Sequence, residues 1–287
     1  MKSLVVGLGI GNLYCAVLKN LGYEVDTVDS NPEKNATFKS IDELEDCYDV
    51  AVICTPNFTH EFIARTIAAR CEIIFIEKPG VESAERWQAL VDDFPCSKFI
   101  LVKNNQYRDC IPEFQRLAES YNQIKLVWEN QDRVPQPGSW FTTKCKAFGG
   151  VSRDLIPHLL SYFCVLSDYK TSNLVRCSTS QNHSLASVSS TDYGRVDMNG
   201  TYDVDDRCEL TYVSDLKQFN ITADWKTDRE TEIGIQFGDD IFVSLGLCPE
   251  EAYQTMIQTA VSNLNNREFW KEQLAQDLWI HQQIENL

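Results

Sequence analysis

The chain has 287 residues, 43% apolar and 24% charged, enough for one large globular domain or two modest ones. With 42 acidic against 26 basic residues the formal charge is −16, so nucleic acid and anionic membrane are poor partners. The longest apolar runs, such as Leu4–Val6 and Ile73–Ile76, are too short to span a bilayer. No signal peptide is read at the start, and none of the eleven cysteines stand as C-x-x-C. Reduced thiols in a cytoplasmic protein are therefore expected, with no metal site.

Strand and helix signals alternate through the first hundred residues. Ser3–Val6 reads as a strand, followed by a glycine-rich turn and a helix over Leu13–Leu21 that Gly22 stops. Glu24–Val28, Val50–Cys54, Ile73–Ile76 and Lys98–Val102 read as further strands, with helical spacing over Thr59–Arg70 and Ser83–Asp93. This pattern predicts an α/β domain over residues 1–105, a Rossmann-type doubly wound parallel sheet with helices on both faces.

The pattern then changes. Ile111–Tyr121 reads as a helix, Gln123–Glu129 as a strand, residues 131–150 as loop, and Asp154–Leu166 as a helix. After a polar stretch at 171–200, strand-like runs recur at Cys208–Val213, Phe219–Trp225, Glu232–Phe237 and Ile241–Leu245, and helix-rich sequence follows from Glu250. The close spacing predicts an antiparallel meander. Residues 106–287 are thus expected to form an α+β domain with a large open, mainly antiparallel sheet. Alternating Ile233, Ile235 and Phe237 predict an apolar outer face, which a second copy would cover in a dimer or tetramer.

Gly7-Leu8-Gly9-Ile10-Gly11-Asn12 joins the first strand to the first helix. Glycines there let backbone approach a pyrophosphate, and the helix N-terminus attracts its charge. A strict G-x-G-x-x-G would put glycine at 12, where Asn12 stands. Asp29, followed by Ser30, ends the second strand, where a carboxylate accepts ribose hydroxyls and repels a 2′-phosphate; this favours NAD over NADP. Cys54-Thr55-Pro56-Asn57 with His60, and Glu77-Lys78-Pro79, leave the third and fourth strands at the edge where such folds bind ligands.

These motifs together resemble the glucose–fructose oxidoreductase/inositol dehydrogenase/MocA (Gfo/Idh/MocA) family. Val102–Pro112, with Arg108, is similar to its segment after the fifth strand, and Gly149-Gly150 with Asp154 and His158 to its glycine-pair, aspartate and histidine motif. Ile156, Pro157 and Ser161 depart from that motif. Pro157 fits a first helical turn, which puts Asp154 and His158 one turn apart on one helix face.

The resemblance implies NAD(P)-dependent hydride transfer at a secondary alcohol carbon of a sugar, polyol or nucleotide sugar. It implies His158 as base, Lys78 as donor to the alkoxide oxygen, and Asp154 as the group that orients His158 or binds a neighbouring hydroxyl. Cofactor contacts are expected from Gly7, Gly9, Ile10, Gly11, Asn12, Asp29, Ser30, Cys54, Thr55, Pro56, Asn57, His60, Glu77, Lys78 and Asn105. Substrate contacts are expected from Lys78, Lys103, Asn105, Tyr107, Arg108, Trp140, Lys144, Arg153, Asp154 and His158. Trp140 either stacks on a sugar face or packs under its loop. An imine, bilin or dihydrodiol substrate, an NAD-retaining epimerase or glycosidase, and a non-catalytic nucleotide sensor are the alternatives.

Overall fold

The apolar runs of the first hundred residues become five strands: β1 (Lys2–Val6), β2 (Glu24–Val28), β3 (Tyr48–Ile53), β4 (Cys71–Ile76) and β5 (Lys98–Leu101). The computed structural model describes residues 1–214 and 216–287. The five strands are all parallel, in the order β2-β1-β3-β4-β5. The interiors of β3 and β4 are buried on both sides, which is why they carry unbroken apolar sequence. Helices α1 (Gly11–Asn20), α2 (His60–Ile67) and α3 (Ala84–Asp93) follow β1, β3 and β4, while short 3-10 turns connect β2 to β3. The Ser83 hydroxyl accepts the Arg86 N–H at the start of α3, as its residue type predicts. Because β2 and β3 lie on opposite sides of β1, the strand order reverses there, at the carboxyl ends of β1 and β3, the position where open α/β sheets bind ligands.

Packing divides the chain into two compact units, Met1–Tyr107 with Pro249–Glu285, and Arg108–Cys248 with the last two residues. Helices α8 (Glu250–Ser262) and α9 (Arg267–Glu285), assigned from the sequence to the second domain, thus pack in the first unit. Polar anchors hold α9 there. Lys103, only 1% exposed, ion-pairs with the fully buried Asp277, whose second oxygen accepts the Leu101 N–H at 3.0 Å. Burial pushes the Asp277 carboxyl up, while Lys103 and Leu101 pull it the other way. The His281 ring lies 4.7 Å from Trp87 and accepts the Val81 N–H.

The second unit contains α4 (Ile111–Ser120), β6 (Gln123–Glu129), α5 (Lys144–Ala147), α6 (Val151–Asp154) and α7 (Ile156–Leu166). They are followed by β7 (Asn173–Ser180), β8 (Arg207–Ser214), β9 (Lys217–Asp224), β10 (Glu232–Phe237) and β11 (Ile241–Ser244). The sheet order is β11-β10-β6-β9-β8-β7. It is mainly antiparallel but not a simple meander, because β6 enters between two hairpins and pairs with β9 in parallel. β7 was not expected; most of its residues are exposed, so it lacks the alternation that marks a half-buried strand.

Phe163 of α7 packs at 4.6 Å on Tyr212 and 4.9 Å on Phe219, and Phe114 of α4 packs on Phe237. Ile235 and Phe237 are buried within the unit. The apolar outer face expected from β10 is therefore absent. On the other side stand polar ladders: Thr211 donates to Asn220, and Arg207 meets Glu129, Glu209 and Asp224.

Lys103→Met leaves the Asp277 carboxylate without its partner in the core. Denaturant unfolding should show a loss of about 3–5 kcal/mol, and Lys103→Met with Asp277→Leu should recover most of it. A single variant as stable as the parent would remove the pair from the list of fold determinants.

Candidate functional site

In the first unit, the glycine turn is shaped by two close approaches. Gly7 has φ +92°, and a Cβ there would lie 2.8 Å from the Cys54 carbonyl oxygen at the end of β3. A Cβ at Gly11 would lie 2.9 Å from the Val5 side chain, so this glycine lets α1 pack on β1. That explains the shifted spacing: Gly11 does the packing work one position early. Asn12 instead donates its side-chain amide to the Leu8 carbonyl at 2.9 Å. Gly9 differs, since a Cβ there meets no protein atom within 4 Å. The fold does not need a glycine at 9, and the backbone there is open to the approach of a ligand. Ile10 is exposed at the start of α1, whose first turn has no acidic residue to offset the helix dipole.

Asp29 accepts the Leu8 N–H at 2.7 Å and the Asn31 N–H at 2.8 Å, which sets its carboxylate beside the turn, with Ser30 exposed. Cys54, Thr55, Pro56 and Asn57 are half-buried, and burial with Glu77 pushes the Cys54 thiol well up. Lys78, also half-buried, follows β4 through a cis bond to Pro79. Glu77 accepts the Tyr14 hydroxyl at 2.7 Å and the Lys78 N–H at 3.2 Å. The pyrophosphate, ribose and nicotinamide of a dinucleotide therefore have donors and acceptors of fitting chemistry along one sheet edge.

His60 is not part of that lining. It is fully buried, with its ring nitrogens each 2.7 Å from a carbonyl oxygen, of Gly80 and of Thr55. It ties the loop after β3 to the loop after β4. Only a protonated ring donates to both, yet burial pushes the imidazole down. Lys103 is likewise committed to Asp277, so it does not hold substrate. Asn105 is almost fully buried, and Tyr107 is half-buried, its phenol pushed up by burial.

In the second unit, the double glycine receives Asp205. A Cβ at Gly150 would overlap the Asp205 carbonyl oxygen. That carbonyl accepts the Val151 N–H, and the Asp205 carboxylate accepts the Gly150 and Ser152 N–H groups, each at 2.8 Å. An acidic cap thus fixes the start of α6. Asp154, at the end of α6, accepts the Trp225 indole N–H at 2.9 Å. His158, in the first turn of α7, stacks on Trp128 with centroids 5.3 Å apart and planes 28° apart. The expected single helix is interrupted at Leu155, because Pro157 supplies no N–H. Arg153 is buried, Arg108 donates to the Gly246 carbonyl at 2.7 Å, and Trp140 stacks on Phe141 at 3.8 Å. The Lys144 side chain is exposed. Asp205, Trp128 and Trp225 carried no motif signal; their partners are fixed by the fold.

Residues 2–100 match the family model of the Gfo/Idh/MocA oxidoreductases, described as an NAD-binding Rossmann fold. The match covers about a third of this chain. A protein of Amycolatopsis mediterranei (strain S699), named as an oxidoreductase subunit of a UDP-kanosamine synthase, is 30% identical over 122 residues. The match covers 41% of this chain and spans about a third (34%) of that relative's length. Among solved structures, GenD2 from gentamicin A biosynthesis, in complex with NAD, is similar with a TM-score of 0.78 at 17% identity, covering 99% of this chain and 92% of that one. Levoglucosan dehydrogenase in complex with NADH and levoglucosan gives 0.68 at 15% identity, covering 100% and 95%. At these identities the structural likeness is one of fold.

Gly9→Ala separates the fold from the ligand. Its melting temperature should stay near the parent's, since an added methyl meets open space, while NAD affinity falls at least about tenfold. Calorimetric titration that finds unchanged NAD affinity would place the pyrophosphate elsewhere.

Proposed function

We propose that this protein is a cytoplasmic NAD-dependent oxidoreductase acting on a secondary alcohol carbon of a sugar, polyol or nucleotide sugar. One observation carries the reading: Gly9, which no protein contact requires, shares a sheet edge with Asp29 and with Lys78 at the end of β4. The Gfo/Idh/MocA match of residues 2–100 supports it, as do the names of the similar proteins. Among the described residues no helix is long and apolar enough to cross a membrane.

NAD, when bound, supplies the hydride acceptor. Gly7 to Asn12 and the N-terminus of α1 would hold its pyrophosphate, Asp29 and Ser30 its adenosine ribose, and Cys54 to Asn57 with Glu77 and Lys78 the nicotinamide half. Oxidising a carbinol carbon also requires the hydroxyl proton to leave. His158 takes that proton, since imidazole exchanges protons near neutral pH. The Lys78 ammonium donates to the oxygen as it becomes alkoxide. Asp154 orients His158, and Tyr107, Arg108, Trp140 and Arg153 are assigned to the rest of the substrate.

The test is nicotinamide absorbance with NAD or NADP and myo-inositol, levoglucosan, glucose or UDP-glucose. Turnover is expected with NAD, because two like charges ~4 Å apart, Asp29 and a 2′-phosphate, repel by about 4 kcal/mol at an effective dielectric of ~20. His158→Asn should keep NAD binding while turnover falls roughly 10²–10⁴-fold. Lys78→Met should lose turnover as well. Intact turnover in both variants, or tighter binding of NADP, overturns these assignments.

Self-association as a dimer or tetramer belongs to the same proposal. The surface it would use is the outer side of the second sheet, where the Arg207 and Thr211 ladders offer donors and acceptors to a second copy. Light scattering should give at least twice the chain mass; a monomer at micromolar concentration counts against it.

A further inference from the structure

Asp154 and His158 sit on two helical segments, not one. α6 ends at Asp154, Leu155 has φ −98°, and α7 begins with Ile156 and Pro157. The Leu155 carbonyl accepts the His158 N–H at 3.1 Å, a tightened turn, and the Leu159 N–H at 3.3 Å, where the α-helical ladder resumes. In a continuous helix the backbone ladder fixes the spacing of residues four apart. Here a proline and a tightened turn intervene, so what the two side chains touch decides where they stand.

Both touch tryptophans of the second sheet. Asp154 Oδ2 accepts from Trp225 Nε1, and the His158 ring lies flat against Trp128. Trp128 is on β6, opposite Ala223 of the parallel neighbour β9, and Trp225 directly follows β9. The two indoles therefore come from adjacent strands in fixed register. Trp225 is itself held: it is 1% exposed, its N–H donates to the Asp206 carbonyl, and its own carbonyl accepts the Arg133 N–H. Core packing alone does not require the indole bond, because the fully buried Trp87 of the first unit leaves its Nε1 without a partner.

We propose that Trp225 and Trp128 are positioning residues for the Asp154–His158 pair. Trp225 sets the orientation of the carboxylate through its N–H, and Trp128 sets the plane of the imidazole through its face. This inference rests on the catalytic reading of His158 given above. It assigns the work of holding the pair to the second sheet rather than to the two helical segments that carry them.

Trp225→Phe removes the donor and keeps most of the ring; Trp128→Leu removes the flat face, and Trp128→Phe restores one. With the best substrate of the four probes named above, Trp225→Phe should lower kcat by roughly 10- to 100-fold, the worth of a hydrogen bond to a charged group. KM should change much less. Trp128→Leu should also lose kcat, and Trp128→Phe should regain part of that loss. A readout independent of turnover is the indole N–H proton resonance of Trp225, identified by its absence in Trp225→Phe. It should shift in Asp154→Asn.

His158→Asn is measured alongside. If His158→Asn keeps its turnover, the catalytic reading fails, and this inference with it. If His158→Asn loses turnover while Trp225→Phe and Trp128→Leu keep theirs, the positioning role alone is overturned. An indole resonance that ignores Asp154→Asn removes the Trp225 contact, and lower melting temperatures with parental kcat would reduce both indoles to packing.

Discussion

The first unit is governed by how closely the turn after β1 approaches the end of β3. Gly7 permits that approach, and the neighbouring loops are fastened to it in sequence. Leu8 is held by Asp29 after β2; the Thr55 carbonyl is held by His60, which also reaches Gly80; Glu77, just before Lys78, is held by Tyr14 of α1. A polar line thus runs from the end of β2 to the end of β4. In the proposed function, the groups assigned to the dinucleotide are set before it arrives, which lowers the ordering cost of binding. Several residues that look like ligand contacts by type are the fasteners of this line.

The parallel half of the fold was legible because its central strands β3 and β4 are buried on both faces and read as apolar runs. β2 has the bounds expected of it, and so do β6 and β10 in the second unit. The order of the second sheet was not legible. Pairing β6 with β9 joins residues nearly a hundred positions apart, and nothing local in either strand announces the partner. The inward facing of Ile235 and Phe237 depends on where α4 and α7 land, so alternation alone could not say which face was covered. The placement of α9 rests on the Lys103–Asp277 and His281 contacts, which span more than 170 residues.

Within the candidate site, glycines, acids and Lys78 were found because their chemistry demands a local pattern. The pattern could not separate lining from support. His60 and Lys103 carry the right functional groups, but burial commits them to carbonyls and to a carboxylate. Conversely, Asp205 is invisible as a motif, yet it explains why two glycines precede α6. Its partners lie more than 50 residues upstream, and the Trp225–Asp154 bond spans 71.

The first unit is assembled from both ends of the chain, with the second unit inserted between Tyr107 and Pro249. This has a consequence for synthesis, which proceeds from the N-terminus. When β5 leaves the ribosome, Asp277 does not yet exist, so the Lys103 ammonium must remain in water and its future cavity must stay open. All strands of the inserted unit have emerged by Ser244. The unit that begins second is therefore the one able to finish first, and the nascent first unit waits, unsealed, for α9 to be translated.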